Sequence, residues 1–121
     1  MKKRYTAYLP ATAYMAVILV LSIRPAPQGL PDLWEIDKLY HFISYAIMGC
    51  LWARALDVKG RGINSIIIPA ALISAVFGAF VEVCQAFVPM REASVLDALA
   101  NGLGGTVGAF VCARVRLRRL S

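Results

Sequence analysis

What most constrains this chain is a succession of apolar blocks, each long enough to cross a bilayer as a helix. They run over about 5–23, 38–56, 64–88 and 95–113. The hydrocarbon core of a bilayer takes roughly 20 predominantly apolar residues per helix. The blocks use up most of the 121 residues, so no sizeable soluble domain fits beside them. Their apolar residues run on without the alternation of a strand or the one-sided stripe of a surface helix. The chain is 60% hydrophobic, with a mean hydropathy of +0.66, above what a soluble domain carries. The expected architecture is all-α: a single domain over residues 1–121, folded as a polytopic membrane bundle with four transmembrane helices.

The net charge is +6 and the pI about 9.6. A basic balance can serve nucleic acid or membrane topology, and the placement of the charges decides. Lys2, Lys3 and Arg4 precede the first block, Arg54, Lys59 and Arg61 flank the turn between the second and third, and Arg114, Arg116, Arg118 and Arg119 follow the fourth. All of these fall on one side of a four-pass chain. Only Arg24, Lys38 and Arg91 fall on the other, and of the acids only Asp57 joins the basic side. The positive-inside rule then puts both termini in the cytoplasm, in a multi-pass protein of the plasma (cytoplasmic, inner) membrane. No nucleic-acid partner is expected. The basic start could belong to a signal peptide. However, Arg24-Pro25-Ala26-Pro27 follows the first block in place of a small-residue cleavage site, so that block is read as a retained helix.

Turn chemistry punctuates the blocks. Pro25, Pro27, Gly29 and Pro31 mark a loop over 24–36, and Asp37 is a plausible N-cap for the second helix. Pro10 lies in the first turns of the first helix, where proline is tolerated. Ser94 can cap the fourth helix, with Asp97 at capping-box spacing. Small residues recur every four positions at Ala71, Ala75 and Ala79 and at Ala100, Gly104 and Gly108. Such spacing lets membrane helices approach closely, inside the bundle or along a homodimer seam. Cys50, Cys84 and Cys112 all sit in apolar blocks and read as small buried hydrophobes.

Polar residues inside these blocks need a reason. The stretch EVCQAFVPMREASVLDALAN, residues 82–101, sets Glu82 and Gln85 near the end of one helix and Asp97 and Asn101 near the start of the next, with Arg91 in the turn. At 1.5 Å per residue, His41 lies about 6 Å and Tyr45 about 12 Å past Asp37. Glu82 lies about 9 Å and Gln85 about 4.5 Å from the end of the third block, and Asp97 about 4.5 Å and Asn101 about 10 Å past Ser94. Polar residues of three helices therefore share one slab beneath the outer surface, with Lys38 and Arg91 at its rim. Ionisable residues in membrane segments mark functional sites by default, since each costs roughly 2.5–3.5 kcal/mol on insertion scales. The candidate binding residues are Asp37, Lys38, His41, Tyr45, Glu82, Gln85, Arg91, Asp97 and Asn101. Taken singly, each has a plainer role as cap, core or loop charge, Glu82 excepted.

The segments DKLYHFISY (37–45) and EVCQAFVPMREASVLDALANGLGG (82–105) resemble the VanZ-like family of small integral membrane proteins. The matching pattern is Asp-Lys-x-x-His-Phe, then Glu-x-x-Gln, an Arg in the turn, and Asp-x-x-x-Asn-x-x-Gly. The resemblance implies a multi-helix integral membrane protein, whose family namesake is associated with resistance to the glycopeptide teicoplanin; the polar residues themselves suggest a cell-envelope protein whose outer pocket handles a lipid-linked ligand. Membrane lipid or a lipid-linked molecule is the expected partner. An alternative is an intramembrane hydrolase or transferase acting on a lipid ester or phosphate, with His41, Glu82 and Asp37 as catalytic candidates. Ser44 and Ser94 are weak candidates for a nucleophile. A metal held by Asp37, His41, Glu82 and Asp97 is conceivable, but no compact ligand motif supports it. Neither metal nor cofactor is expected.

Overall fold

In the computed structural model the chain forms α1 (Lys2–Ser22), α2 (Trp34–Leu56), α3 (Asn64–Ala86) and α4 (Val95–Leu120). It describes residues 2–24, 34–57, 61–89, 91 and 93–120, and only the backbone of residues 2–4, 34–37 and 117–120. The proline-rich loop beyond Arg24, together with Lys59, Glu92 and the side chain of Asp37, lies outside the described residues. No strand occurs among the described residues.

Three helices are long and apolar enough to cross a membrane: Tyr5–Ser22, Asn64–Ala86 and Val95–Arg116. The helix α2 matches α3 in length but is not among them. Lys38, His41 and Arg54 lower its hydropathy, because this helix gives part of its length to polar residues.

Contacts between the helices fix their directions. Lys38 meets Asp97, His41 meets Asn101, and Ala46 meets Gly108. Partners advance together along both chains, so α2 and α4 run parallel. Ser74 packs on Gly105, Gly78 on Asn101, and Glu82 bonds to Ser94, so α3 runs antiparallel to α4. The Tyr14 hydroxyl donates to the Ser44 carbonyl (2.9 Å), and the Trp52 indole to the Met15 sulfur (3.2 Å). The Tyr8 ring lies 6.1 Å from that of Trp52; earlier α1 residues meet later α2 residues (Tyr8 with Trp52, Tyr14 with Ser44), so α1 runs antiparallel along α2.

Glycine decides how closely the helices approach. Gly104 lies against the Phe42 carbonyl, Gly108 against the Ala46 carbonyl and Gly49 against the Gly105 carbonyl, and none of them has room for a Cβ. With backbones this close, dispersion contact replaces the hydrophobic driving force that lipid removes. The expected seam on α4 at Gly104 and Gly108 is thus an intramolecular contact with α2. The expected alanine stripe of α3 is displaced by one position. Its buried face is Ala70, Ser74, Gly78, Val81, Glu82 and Gln85, while Ala71 and Ala75 are half-buried and Ala79 is exposed. Spacing alone cannot choose between adjacent stripes; the Ser74–Gly105 and Gly78–Asn101 contacts choose this one.

At one end of the bundle the interior is an apolar cluster of Ala53, Ile66, Ala70, Ala109 and Ala113. At the other end it is polar, with Ser74, Glu82, Gln85, Asp97 and Asn101 buried. The large hydrophobic side chains point outward, Phe87, Val95 and Tyr40 among them. Small and polar inside with large and apolar outside inverts a soluble fold and suits a hydrocarbon solvent. The helix α1 is peripheral: 6% of its span is buried, against 33% in α3 and α4.

Several boundaries differ from the sequence reading. α2 begins at Trp34, so Asp37 lies within the helix instead of capping it. α1 begins at Lys2, which places Pro10 in its interior, a position membrane helices tolerate. α3 ends at Ala86, where Phe87 and Val88 donate to the carbonyls of Cys84 and Gln85 (3.1 Å each), tightening the last turn before Pro89. α4 continues through the basic tail to Leu120. Arginine is a good helix former, and Arg116 pairs with Asp57 at the end of α2.

Candidate functional site

The polar end of the bundle is built by three helices on one plan. Ser94 caps α4, its hydroxyl accepting from the Asp97 N–H (3.4 Å). In a reciprocal capping box Asp97 would accept from the Ser94 N–H. Here Glu82 of α3 takes that place, its Oε2 accepting from the Ser94 N–H at 3.0 Å. Asp97 is thereby released to α2, where its Oδ1 pairs with Lys38 and its Oδ2 lies 3.9 Å from His41 Nε2. One turn deeper, His41 Nδ1 and Asn101 Oδ1 are 3.0 Å apart. The amide oxygen can only accept, so Nδ1 is the donor in this contact and Nε2 is the nitrogen that faces Asp97.

Gly78 makes this packing possible. A Cβ there would sit 2.8 Å from Asn101 Cβ and 3.1 Å from Tyr45 Cε1. Asn101 is 0% exposed, Tyr45 2% and Glu82 5%. Three buried atoms in this knot lack a hydrogen-bond partner among the described residues: Tyr45 Oη, Glu82 Oε1 and Asn101 Nδ2. Buried polar atoms are almost always paired, so their concentration on facing helices marks the place as more than packing.

Gln85 and Arg91 are placed differently. Gln85 Nε2 donates to the Ser22 carbonyl (3.3 Å). Arg91 donates from Nε to the Arg24 carbonyl (2.8 Å) and from Nη2 to that of Leu21 (3.5 Å). Both side chains clamp the end of α1, where helix carbonyls lack intrahelical donors and favour a cation. Between this clamp and the knot lies a pocket of about 250 Å³. Gln85 and Arg91 line it from one side, His41, Ser44 and Tyr45 from α2, and Ser22 from α1. Its volume falls below the roughly 300–1,000 Å³ of drug-sized ligand sites, so it suits a head group and not a whole lipid.

The structure thus divides the candidate residues. Lys38, His41, Glu82, Asp97 and Asn101 meet in the knot. His41, Tyr45, Gln85 and Arg91 line the pocket, and His41 and Tyr45 link the two. Lys38 pairs inward with Asp97 instead of standing at the rim, and the Asp37 side chain lies outside the described residues. Sequence reasoning missed Tyr40 and the α1 contribution of Ile18, Leu21 and Ser22 to the pocket wall.

Glu-x-x-Gln before the turn, Arg within it, and Asp-x-x-x-Asn after it therefore form one constructed end of the bundle. No curated protein and no solved structure matches the chain. A family model does, that of VanZ/LLP1, across residues 4–117, which reaches from the first turn of α1 to the last turn of α4 and takes in every residue of the knot and pocket. The chain is a membrane protein of the VanZ/LLP1 family.

Proposed function

We propose that this protein crosses the plasma membrane four times with both termini in the cytoplasm. Its pocket, open to the outer face, binds the anionic head group of a lipid-linked envelope ligand. The charge distribution supports the orientation: the basic tail and Arg54 share the end of the bundle opposite Arg91. The observation that carries the binding reading is the small pocket walled by Arg91, His41 and Gln85 at that outer end. A guanidinium bound to main-chain carbonyls still has N–H donors for a phosphate or carboxylate. The surrounding helix surfaces are apolar enough to accompany the ligand's chain. Resistance to teicoplanin-type glycopeptides, themselves acylated, fits such a site as one use of it.

A second reading rests on one feature. His41 is oriented by Asn101 and shares the pocket with Ser44. A base and a hydroxyl that line one pocket are what an intramembrane hydrolase or transferase of lipid esters or phosphates would need.

Both readings are tested with purified protein in nanodiscs offered a polyprenyl diphosphate, a polyprenyl phosphate and an acylated glycopeptide. The binding reading expects a dissociation constant for at least one of them that rises about ten-fold or more in Arg91→Ala. Equal affinity of wild type and variant for every ligand refutes it. A cleaved or transferred product seen by mass spectrometry, and lost in His41→Ala, establishes the second.

A further inference from the structure

We propose that His41, Glu82 and Asp97 form a divalent-cation site, for which Zn²⁺ is the best-matched ion. One ligand atom from each of these residues lies within 4.8 Å of the other two. The three come from three different helices, so an ion there would tie α2, α3 and α4 together at their polar end.

Every ligand is held from behind. His41 is fixed through Nδ1 by Asn101, which leaves Nε2 turned toward the two carboxylates. Asp97 is fixed through Oδ1 by Lys38, with Oδ2 toward the imidazole. Glu82 is fixed through Oε2 by the Ser94 N–H. Metal-binding histidines and carboxylates are oriented by such outer partners, which set tautomer and direction. The independent sign of a ligand is Glu82 itself. It is 5% exposed, and its Oε1 is buried without a hydrogen-bond partner among the described residues. A carboxylate oxygen in that position is costly unless something positive reaches it.

The spacing also fits. Ligand atoms bound at about 2.0–2.2 Å to one zinc ion stand roughly 3–4 Å apart, and His41 Nε2 lies 3.9 Å from Asp97 Oδ2. Charge points the same way: the three ligand atoms include two carboxylate oxygens, Glu82 and Asp97, side by side. One imidazole with two carboxylates is a mixed nitrogen–oxygen set suited to zinc, with manganese next. Three protein ligands leave a coordination position for water or ligand. Because His41 also lines the pocket, the ion would stand at the pocket wall. The inference does not rest on the lipid-linked ligand.

The test uses the full chain in detergent, stripped with a chelator and dialysed against ZnCl₂ without lipid ligand, with bound metal counted by mass spectrometry. Wild type is expected to hold one zinc per chain. His41→Ala and Glu82→Gln are each expected to bind about a hundred-fold more weakly or worse, the range reached by loss of an outer-shell partner alone. Arg91→Ala, which alters the pocket but none of the three ligands, is expected to keep its zinc, so failure of the lipid reading leaves this result standing. Glu82→Gln preserves size and the acceptor for Ser94, and helical circular dichroism confirms its fold. Should a variant not fold, Co²⁺ loaded into wild type supplies a second readout: a visible absorption band from a nitrogen–oxygen site supports the proposal. Wild type without stoichiometric zinc, or either ligand variant binding it as tightly as wild type, overturns it.

Discussion

Gly78→Ala tests the packing that holds the polar knot. The added carbon would lie 2.8 Å from Asn101 Cβ and 3.1 Å from Tyr45 Cε1, whereas carbon atoms rest about 3.5–4.0 Å apart. Asn101 must therefore retreat by about 0.7 Å or more. It is fully buried, and Tyr45 nearly so, so the movement is transmitted to the α2–α4 contact and to the His41–Asn101 hydrogen bond. Overpacking of this kind costs about 1–3 kcal/mol, and the weakened hydrogen bond about 1 kcal/mol more. Alanine's better helix propensity returns up to about 1 kcal/mol. The net expected loss is roughly 1–3 kcal/mol. Gly102→Ala is the control, because its added carbon would meet only Ala75 Cβ at an ordinary 3.8 Å. That variant should be neutral or gain up to about 1 kcal/mol. Equilibrium unfolding in mixed micelles, followed by circular dichroism, compares the two. If Gly78→Ala proves as stable as Gly102→Ala, the close approach of α3 to Asn101 is wrong.

Two further outcomes follow from the same geometry. Lys38→Met leaves the Asp97 carboxylate buried without its ammonium and should destabilise by about 3 kcal/mol or more; adding Asp97→Leu should restore most of that, and an unfolding titration showing no recovery in the double variant would contradict the ion-pair account. Mild oxidation or a short thiol cross-linker should join Cys50 to Cys112 and spare Cys84, as read by peptide mapping, because the first two line one groove between α2 and α4 and Cys84 does not; a link through Cys84 would refute the parallel α2–α4 pairing.

How far the sequence could be read depends on which coordinate is asked for. Apolar block length gave the helices, since rise per residue is fixed. Counting residues along each helix placed His41, Glu82, Asp97 and Asn101 in one slab, and they do meet. Height along the axis says nothing of rotation about it, however. Rotation is set by glycines that admit a neighbour's backbone, and a one-position shift moves the buried stripe of α3 from Ala71 to Ala70. Rotation also decides partners: Lys38 turns in to Asp97, Glu82 reaches across to cap α4, and Gln85 and Arg91 turn to α1. The tail hid its helix for another reason. Arg114 to Arg119 read as topology charges, yet arginine is also a good helix former. The shortfall in apolar length of α2 follows from the polar knot, to which its Lys38 and His41 belong.

The central claim is that the knot and pocket open on the outer face of the membrane. Side-specific thiol labelling tests it directly. In a chain with Cys50, Cys84 and Cys112 replaced by alanine, Ala93→Cys marks the exposed loop beside the site and Gly62→Cys the exposed turn at the opposite end. The account predicts that a membrane-impermeant maleimide labels Ala93→Cys in intact cells and Gly62→Cys only after lysis. The reverse pattern would place the pocket in the cytoplasm and contradict the envelope role.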